Sequence, residues 1–212
     1  MRELALFAGG GGGILGGLLL GWRTVCAVEL APYARSILLA RQRDGFLDPF
    51  PIWDDVTTFD GRPWRGHVDV ISAGFPCQPF SSAARGRLVA PNLWPEVVRI
   101  ANEVQPSFVF AENVVNSWLP GRTVSAADVG APHLRRRLWS AVHAHDQGES
   151  DGVLHAEASW VPAADKAVWE ADPRGVRVAD GVADRMDRLK ALGNGQVPAV
   201  VRLAWHLLAP KE

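Results

Sequence analysis

Two side chains in this 212-residue sequence are placed to do chemistry together. Cys77 stands in the segment Gly74-Phe75-Pro76-Cys77-Gln78-Pro79-Phe80-Ser81, directly after the apolar run Val68-Asp69-Val70-Ile71-Ser72-Ala73. A cysteine between two prolines at the end of a buried strand is poorly placed for core packing. Its thiol is expected at the strand's carboxyl edge. A thiolate nucleophile needs a partner that supplies or removes protons. Glu112 is the candidate partner: it ends a second apolar run, Phe108-Val109-Phe110-Ala111, and is followed by Asn113-Val114. The second cysteine, Cys26, lies inside a β-rich run and reads as a core thiol.

The elements that must carry this pair can be read along the chain. Leu4 to Phe7 predicts a short strand that stops at the glycines Gly9 to Gly13. Ile14, Leu15, Leu18 and Leu19 have helical spacing, and Arg23 to Glu29 predicts a strand ending in a carboxylate. A glycine turn between strand and helix lets backbone N–H groups approach a ligand at the helix N-terminus. An acid ending the next strand is where such folds bind ribose hydroxyls. A nucleotide-like ligand carrying adenosine is the expectation, with Glu29 as the acid. Ala31 to Arg43 and Leu93 to Val104 predict helices, Ile52 to Val56 a third strand ending in acids, and Val197 to Leu208 a final helix packing back on the core. Strands alternating with helices predict an α/β fold, an open and mostly parallel sheet flanked by helices, with ligands at its carboxyl edge.

Composition excludes other classes. Hydrophobic residues at 48% and charged residues at 21% are the balance of a globular core, not of a disordered chain. With 22 Lys+Arg against 23 Asp+Glu the net charge is −1, so any nucleic-acid surface must be local. Two cysteines exclude a disulfide scaffold and suit a reducing compartment. Leu4 to Trp22 is uncharged and long enough to cross a bilayer, but eight glycines argue against a continuous helix. Met1-Arg2-Glu3 is net neutral and no cleavage pattern follows, so the expectation is a soluble, cytoplasmic protein. His143, His145 and His155 have no nearby cysteine and no HxxxH spacing, and no metal is expected.

Taken together, these residues resemble the DNA (cytosine-5)-methyltransferases, in order along nearly the whole chain. Leu6-Phe7-Ala8-Gly9-Gly10-Gly11-Gly12 resembles that family's S-adenosylmethionine loop, and Gly74 to Ser81 its nucleophile motif. Asn92 to Ile100 resembles the helix after its mobile loop, Glu112-Asn113-Val114 its glutamate motif, Val129 to Arg137 its two-arginine motif, and Leu192 to Pro198 its C-terminal motif. The resemblance implies a Rossmann-like methyltransferase that uses S-adenosylmethionine to methylate carbon-5 of a flipped-out cytosine in DNA. By the same resemblance Cys77 is the nucleophile and Glu112 holds the base. Arg135 and Arg137, read as alternate residues of one strand, point into the site together. Phe7, Gly9, Gly11, Glu29, Asp55, Pro76 and Asn194 are the implied cofactor contacts, with Phe7 on the adenine. Gln78, Ser81, Arg85 and Arg87 are the implied DNA contacts, on a loop ending at Pro91.

The sequence also departs from the family. His133 stands where the arginine motif carries glutamine. Only nine residues, Asn113 to Gly121, precede the strand-like Arg122-Thr123-Val124-Ser125, where a helix and a further strand are normal. A parallel crossover takes at least about 10–12 residues, so either an element is missing or the sheet is rearranged. The expected division is a catalytic and cofactor-binding domain over 1–139, a reduced target-recognition region over 140–176, and a returning segment over 177–212. So small a recognition region predicts a short or degenerate target of about two to four bases, unless a partner chain or homodimer adds contacts. Three other readings stay open here: a catalytically impaired DNA-binding module, an RNA cytosine methyltransferase, and a nicotinamide-dependent oxidoreductase built on the glycine loop.

Overall fold

A computed structural model describes residues 1–76, 92–115, 121–143 and 195–209. The strands are β1 (Arg2–Leu6), β2 (Arg23–Val28), β3 (Ile52–Trp53), β4 (Val70–Gly74), β5 (Phe108–Asn113), β6 (Arg122–Val124) and β7 (Arg137–His143). The helices are α1 (Gly12–Leu19), α2 (Pro32–Arg43), α3 (Trp94–Val104) and α4 (Pro198–Leu208). The strands form one sheet in the order β3-β2-β1-β4-β5-β7-β6. All its pairs are parallel except the two made by β7. The expected α/β architecture is therefore present, with an antiparallel strand inserted near one edge. The strand β7 runs through the 139/140 boundary expected from sequence and ends at His143, whose ring packs against Phe108.

Period-two alternation sorts the strand residues into two layers. Leu4, Leu6, Cys26, Val28, Ile71, Ala73 and Val109 meet Val97, Ile100 and Val104 of α3 on one face. Cys26 is 2% exposed, and burial pushes its thiol pKa up to about 12, which suits a core thiol. On the other face Ala5 and Ala27 meet Ile14 of α1 and Leu38 of α2. Beside them Val70, Phe110, Trp139 and Trp22 meet Val200, Val201, Ala204 and Trp205 of α4. The last helix thus packs back on the core as its apolar stripe predicts.

The helix α1 differs from expectation in the face it buries. Ile14 is buried with Gly16 and Gly17, while Leu15, Leu18 and Leu19 are 42–52% exposed. The two glycines face inward against different neighbours: a Cβ on Gly16 would overlap the side chain of Val201 in α4, and one on Gly17 would crowd Trp22 and Glu3.

The short link after Glu112 is a rearrangement of the sheet. Trp139 of β7 pairs with Glu112 on one side and with Arg122 on the other, so β6 begins level with the end of β5. The chain need only step sideways by two strand spacings, about 10 Å. No return along the sheet is required, and no crossover helix. Gly121 makes the step where a Cβ would overlap the Trp139 carbonyl.

Candidate active site

The carboxyl ends of β1, β4 and β5 converge on one cleft. The strand β1 stops at Leu6, and Phe7 turns the chain with φ 56, a left-handed conformation that costs a non-glycine residue about 1–2 kcal/mol. Gly9 (φ 55) and Gly11 (φ 90) continue the turn without that cost. Gly11 is the N-cap of α1 and, having no side chain, caps none of the first N–H groups of the helix itself. Nothing lies within 4 Å of the place a Cβ on Gly9 would take.

Glu29 lies opposite this turn, just past β2. Its Oε2 accepts from the Gly9 N–H at 2.7 Å and its Oε1 from the Ala31 N–H at 2.8 Å. Each oxygen keeps capacity for one more donor, so Glu29 both shapes the turn and can meet a diol. Asp55 caps the short 3-10 turn Val56–Thr58, its Oδ1 accepting from the Thr57 N–H and hydroxyl. These bonds, the backbone one first, hold its carboxyl below the usual aspartate range. That turn is fixed to α3 by Arg99, which donates to the carbonyls of Val56 and Phe59 and pairs with Glu96 and Glu103. An open glycine turn, an uncapped helix start and two acids at strand ends fit an adenosine-bearing ligand.

Glu112 is the centre of the described site. It is 8% exposed at the end of β5, in register with Gly74 of β4. Arg137 Nε lies 3.0 Å from its Oε1, and Gln196 Nε2 donates to its Oε2 at 3.2 Å. Burial raises its pKa above the usual glutamate range. The Gln196 hydrogen bond and the charges of Arg137 and Arg135 pull the other way without cancelling it. A carboxyl of this kind can hold a proton and donate it to a ring nitrogen.

Arg135 and Arg137 both approach Glu112, but not as alternate residues of one strand. β7 begins at Arg137, and Arg135 precedes it with φ 22 in the left-handed region. Arg135 donates to the Gly195 carbonyl, and burial lowers its pKa. A loop of Pro132, His133 and Leu134, all exposed, leads up to it. Arg136 is the one exposed arginine of the three.

Phe7 is half-buried beside Phe75, Ala111, Leu138 and Trp94, and Phe75 packs on Trp94 at 5.2 Å between ring centroids. Pro76 is exposed at the last described position before Cys77. Cys77, Gln78, Ser81, Arg85, Arg87, Asn194, His145 and His155 lie outside the described residues. Gln196 was not singled out from sequence. Its signal was a polar side chain in Gly-Asn-Gly-Gln-Val-Pro, one residue ahead of an apolar helix. Among the described residues there is no cluster of three metal-ligating side chains, and no helix long and apolar enough to cross a membrane.

Comparison with known proteins bears on the family and the fold. The chain is 34% identical over 114 residues to the Type II methyltransferase M.NgoMIV of Neisseria gonorrhoeae, covering 53% of this chain and 35% of that protein. It is 26% identical over 229 residues to the Type II methyltransferase M.CviJI of Paramecium bursaria Chlorella virus IL3A, covering 96% and 58%. The chain thus spans about a third to three fifths of the length of these relatives. Among solved structures, a prophage-encoded Escherichia coli protein assigned to the DNA modification methyltransferases matches with TM-score 0.52 and 26% identity over 66% of this chain and 45% of its own. A DNMT2 from Spodoptera frugiperda shares the fold, with TM-score 0.54 and 18% identity over 71% of this chain and 52% of its own. Residues 1–118, more than half of the chain, match the family model described as C-5 cytosine-specific DNA methylase, and the chain belongs to that family.

Proposed function

We propose that this protein transfers a methyl group from S-adenosylmethionine to carbon-5 of cytosine in DNA. The observation that carries the proposal is the buried Glu112 carboxyl, held at both oxygens and paired in register with Gly74, three residues ahead of Cys77 in the chain. S-adenosylmethionine, when bound, supplies the methyl group as an electrophile on its sulfonium. Phe7, Gly9, Gly11, Glu29, Asp55, Pro76 and Asn194 are the residues we assign to holding it.

The reaction needs carbon-5 of a neutral pyrimidine to become nucleophilic. Cys77, as thiolate, forms a bond to carbon-6 and pushes an electron pair toward carbon-5. Glu112, in its protonated form, gives its proton to ring N3 and accepts from the exocyclic amine, so the adduct carries no isolated charge. Arg137 keeps the Glu112 carboxyl pointed at the base, and Arg135 fixes the chain segment beside it. After transfer the carbon-5 proton is lost to solvent, the carbon-6 to sulfur bond breaks with its electron pair so that Cys77 leaves as thiolate, and N3 returns its proton to the Glu112 carboxylate. The base must be out of the duplex, because stacking covers its ring faces. Gln78, Ser81, Arg85 and Arg87 are assigned to the DNA, and target recognition to the part of the expected region 140–176 that follows β7, with a partner chain or homodimer supplementing it.

The test is transfer of labelled methyl from S-adenosylmethionine to duplex DNA, followed by nucleoside analysis. Wild type is expected to yield 5-methylcytosine. Cys77→Ser is expected to yield none while still binding the cofactor, because serine is a far weaker nucleophile at neutral pH. Turnover by Cys77→Ser at the wild-type rate would remove Cys77 from the mechanism. Label in RNA alone would move the substrate class.

A further inference from the structure

Gln196 sits where three separate parts of the fold meet. Its Nε2 donates to Glu112 Oε2 at 3.2 Å. Its side-chain oxygen occupies the space that a Cβ on Gly13 would fill, and its backbone carbonyl the space of a Cβ on Gly12. On the opposite side its Nε2 lies 2.7 Å from the place of a Cβ on Gly74. Glycines from the start of α1 and the end of β4 therefore form a slot that this amide fills. The space left over is a small cavity bordered by Phe7, Gly9, Ser72 and Gln196.

The slot is fixed from the other end as well. The Gly195 carbonyl accepts from Arg135, and Pro198 begins α4, which packs along α1 through Gly16 and Val201. An amide held this firmly loses little entropy on making its hydrogen bond. Glu112 thus has one oxygen fixed by a cation from β7 and the other by a neutral donor from the segment before α4. The charged groups that face Glu112 among the described residues are Arg135 and Arg137. Neither the β4 end nor the glycine turn brings a charge.

We propose that Gln196 is a positioning residue that ties the Glu112 carboxyl to the glycine-rich turn, so that cofactor in the turn is felt at the group that meets the base. The proposal rests on the assignment of Glu112 to the base and of the turn to the cofactor. Its physical content is a single rigid link. A ligand that displaces Gly12 or Gly13 must displace the amide that rests on them, and the amide is bonded to Glu112.

The experiment follows the Glu112 carboxyl directly, without turnover. The full chain is labelled with carbon-13 at the glutamate carboxyls, and the Glu112 signal is identified by its loss in Glu112→Gln. Gln196→Met keeps the side-chain length and removes the donor. Gln196→Glu keeps the shape and replaces the donor with an acid. The Glu112 midpoint is expected to rise by about 0.5–1 pH in Gln196→Met, the size of one net hydrogen bond, and further in Gln196→Glu. S-adenosylhomocysteine is expected to move the midpoint in wild type and to leave it unmoved in Gln196→Met. A Glu112 midpoint unchanged in whichever of the two variants folds would overturn the link. So would a cofactor response that persists in Gln196→Met. Failure of the functional reading looks different: wild type would transfer no methyl or bind no S-adenosylhomocysteine, while the midpoints in the cofactor-free chain would still report the Gln196 bond.

Discussion

Arg137 and Glu112 form a diagonal ion pair across the antiparallel ladder of β5 and β7, with Nε 3.0 Å from Oε1. Glu112 is paired with Trp139, and Arg137 lies two residues before Trp139, so both side chains leave the same face of the sheet. The insertion of β7 beside β5 is therefore what delivers the guanidinium to the carboxyl.

Arg137→Ala is expected to destabilise the protein in a pH-dependent way. Burial already raises the Glu112 pKa, and removing the cation raises it further. Between the ordinary glutamate value and the raised folded value, the native state binds more proton than the unfolded chain, so stability falls as pH rises through that window. Urea melts should show a loss of about 1–3 kcal/mol near pH 8 and a smaller loss near pH 5. Equal losses at both would mean that Arg137 acts by packing alone.

Glu3 gives a second case with the same sign. It is 1% exposed in β1, and it accepts from the Thr24 hydroxyl at 2.7 Å and the Ser72 hydroxyl at 2.6 Å. Burial raises its pKa against the pull of both hydroxyls. Glu3→Gln keeps the shape, and either hydroxyl can rotate to accept from the new amide. The variant is expected to be more stable than wild type near pH 8, by about 1–2 kcal/mol, and close to it near pH 4. A variant less stable at both pH values would show that the carboxylate is well solvated or matched where it lies.

Gly16 and Val201 set the approach of α1 to α4. A Cβ at position 16 would overlap the branched part of Val201, which cannot swing away as a long side chain can. Overpacking costs about 1–3 kcal/mol, more than the roughly 1 kcal/mol of helix propensity that alanine adds. Gly16→Ala should lower the Tm, and Val201→Ala in the same chain should recover part of the loss. Strict additivity of the two substitutions would place the contact elsewhere.

The strands β1 to β5 were legible because each is a short apolar run closed by glycine or an acid, whereas β7 has no such mark and its antiparallel insertion between β5 and β6 could not be read. The parts that were not legible depend on partners distant in sequence. The leucines of α1 have helical spacing, yet the helix buries Gly16 and Gly17, because Val201 of α4 approaches the first and Trp22 and Glu3 the second. The short link after Glu112 left a missing element and a rearranged sheet equally open, since a length rule for crossovers assumes a return along the sheet. The register of Arg122 and Glu112 on either side of Trp139 removes that assumption. Glu112 could be read as a candidate from its strand end. Gln196 could not, because the place it takes is shaped by three glycines in two other segments. The resemblance points to Arg135 and Arg137 and alternation puts both on one strand, whereas the left-handed φ of Arg135 sets it in the segment before β7.

Glu29 is expected to affect the cofactor in two ways. Glu29→Ala removes an acceptor from the ribose side and also frees the Gly9 and Ala31 N–H groups it now holds. Calorimetry with S-adenosylhomocysteine should show affinity weaker by about 1.5–3 kcal/mol, the range for a hydrogen bond to a charged group. Glu29→Gln leaves an acceptor for one N–H and should fall between alanine and wild type. Unchanged affinity in Glu29→Ala would put the ribose elsewhere.

Arg136 and Arg135 should differ in their effect on DNA. In the basic run Arg135-Arg136-Arg137 two members turn inward, to the Gly195 carbonyl and to Glu112. Arg136 is exposed and is the member of the run that can reach a phosphate. Each phosphate neutralised on duplex DNA contributes about −0.9 to the slope of log affinity against log salt. Arg136→Ala should therefore weaken binding to duplexes of any sequence and make the slope shallower by about 1. Arg135→Ala should leave the slope as it is, whatever it does to turnover. The two variants, compared over the same salt series, separate a phosphate contact from an internal one. A slope reduced as much by Arg135→Ala as by Arg136→Ala would mean that Arg135 leaves Gly195 for the DNA backbone.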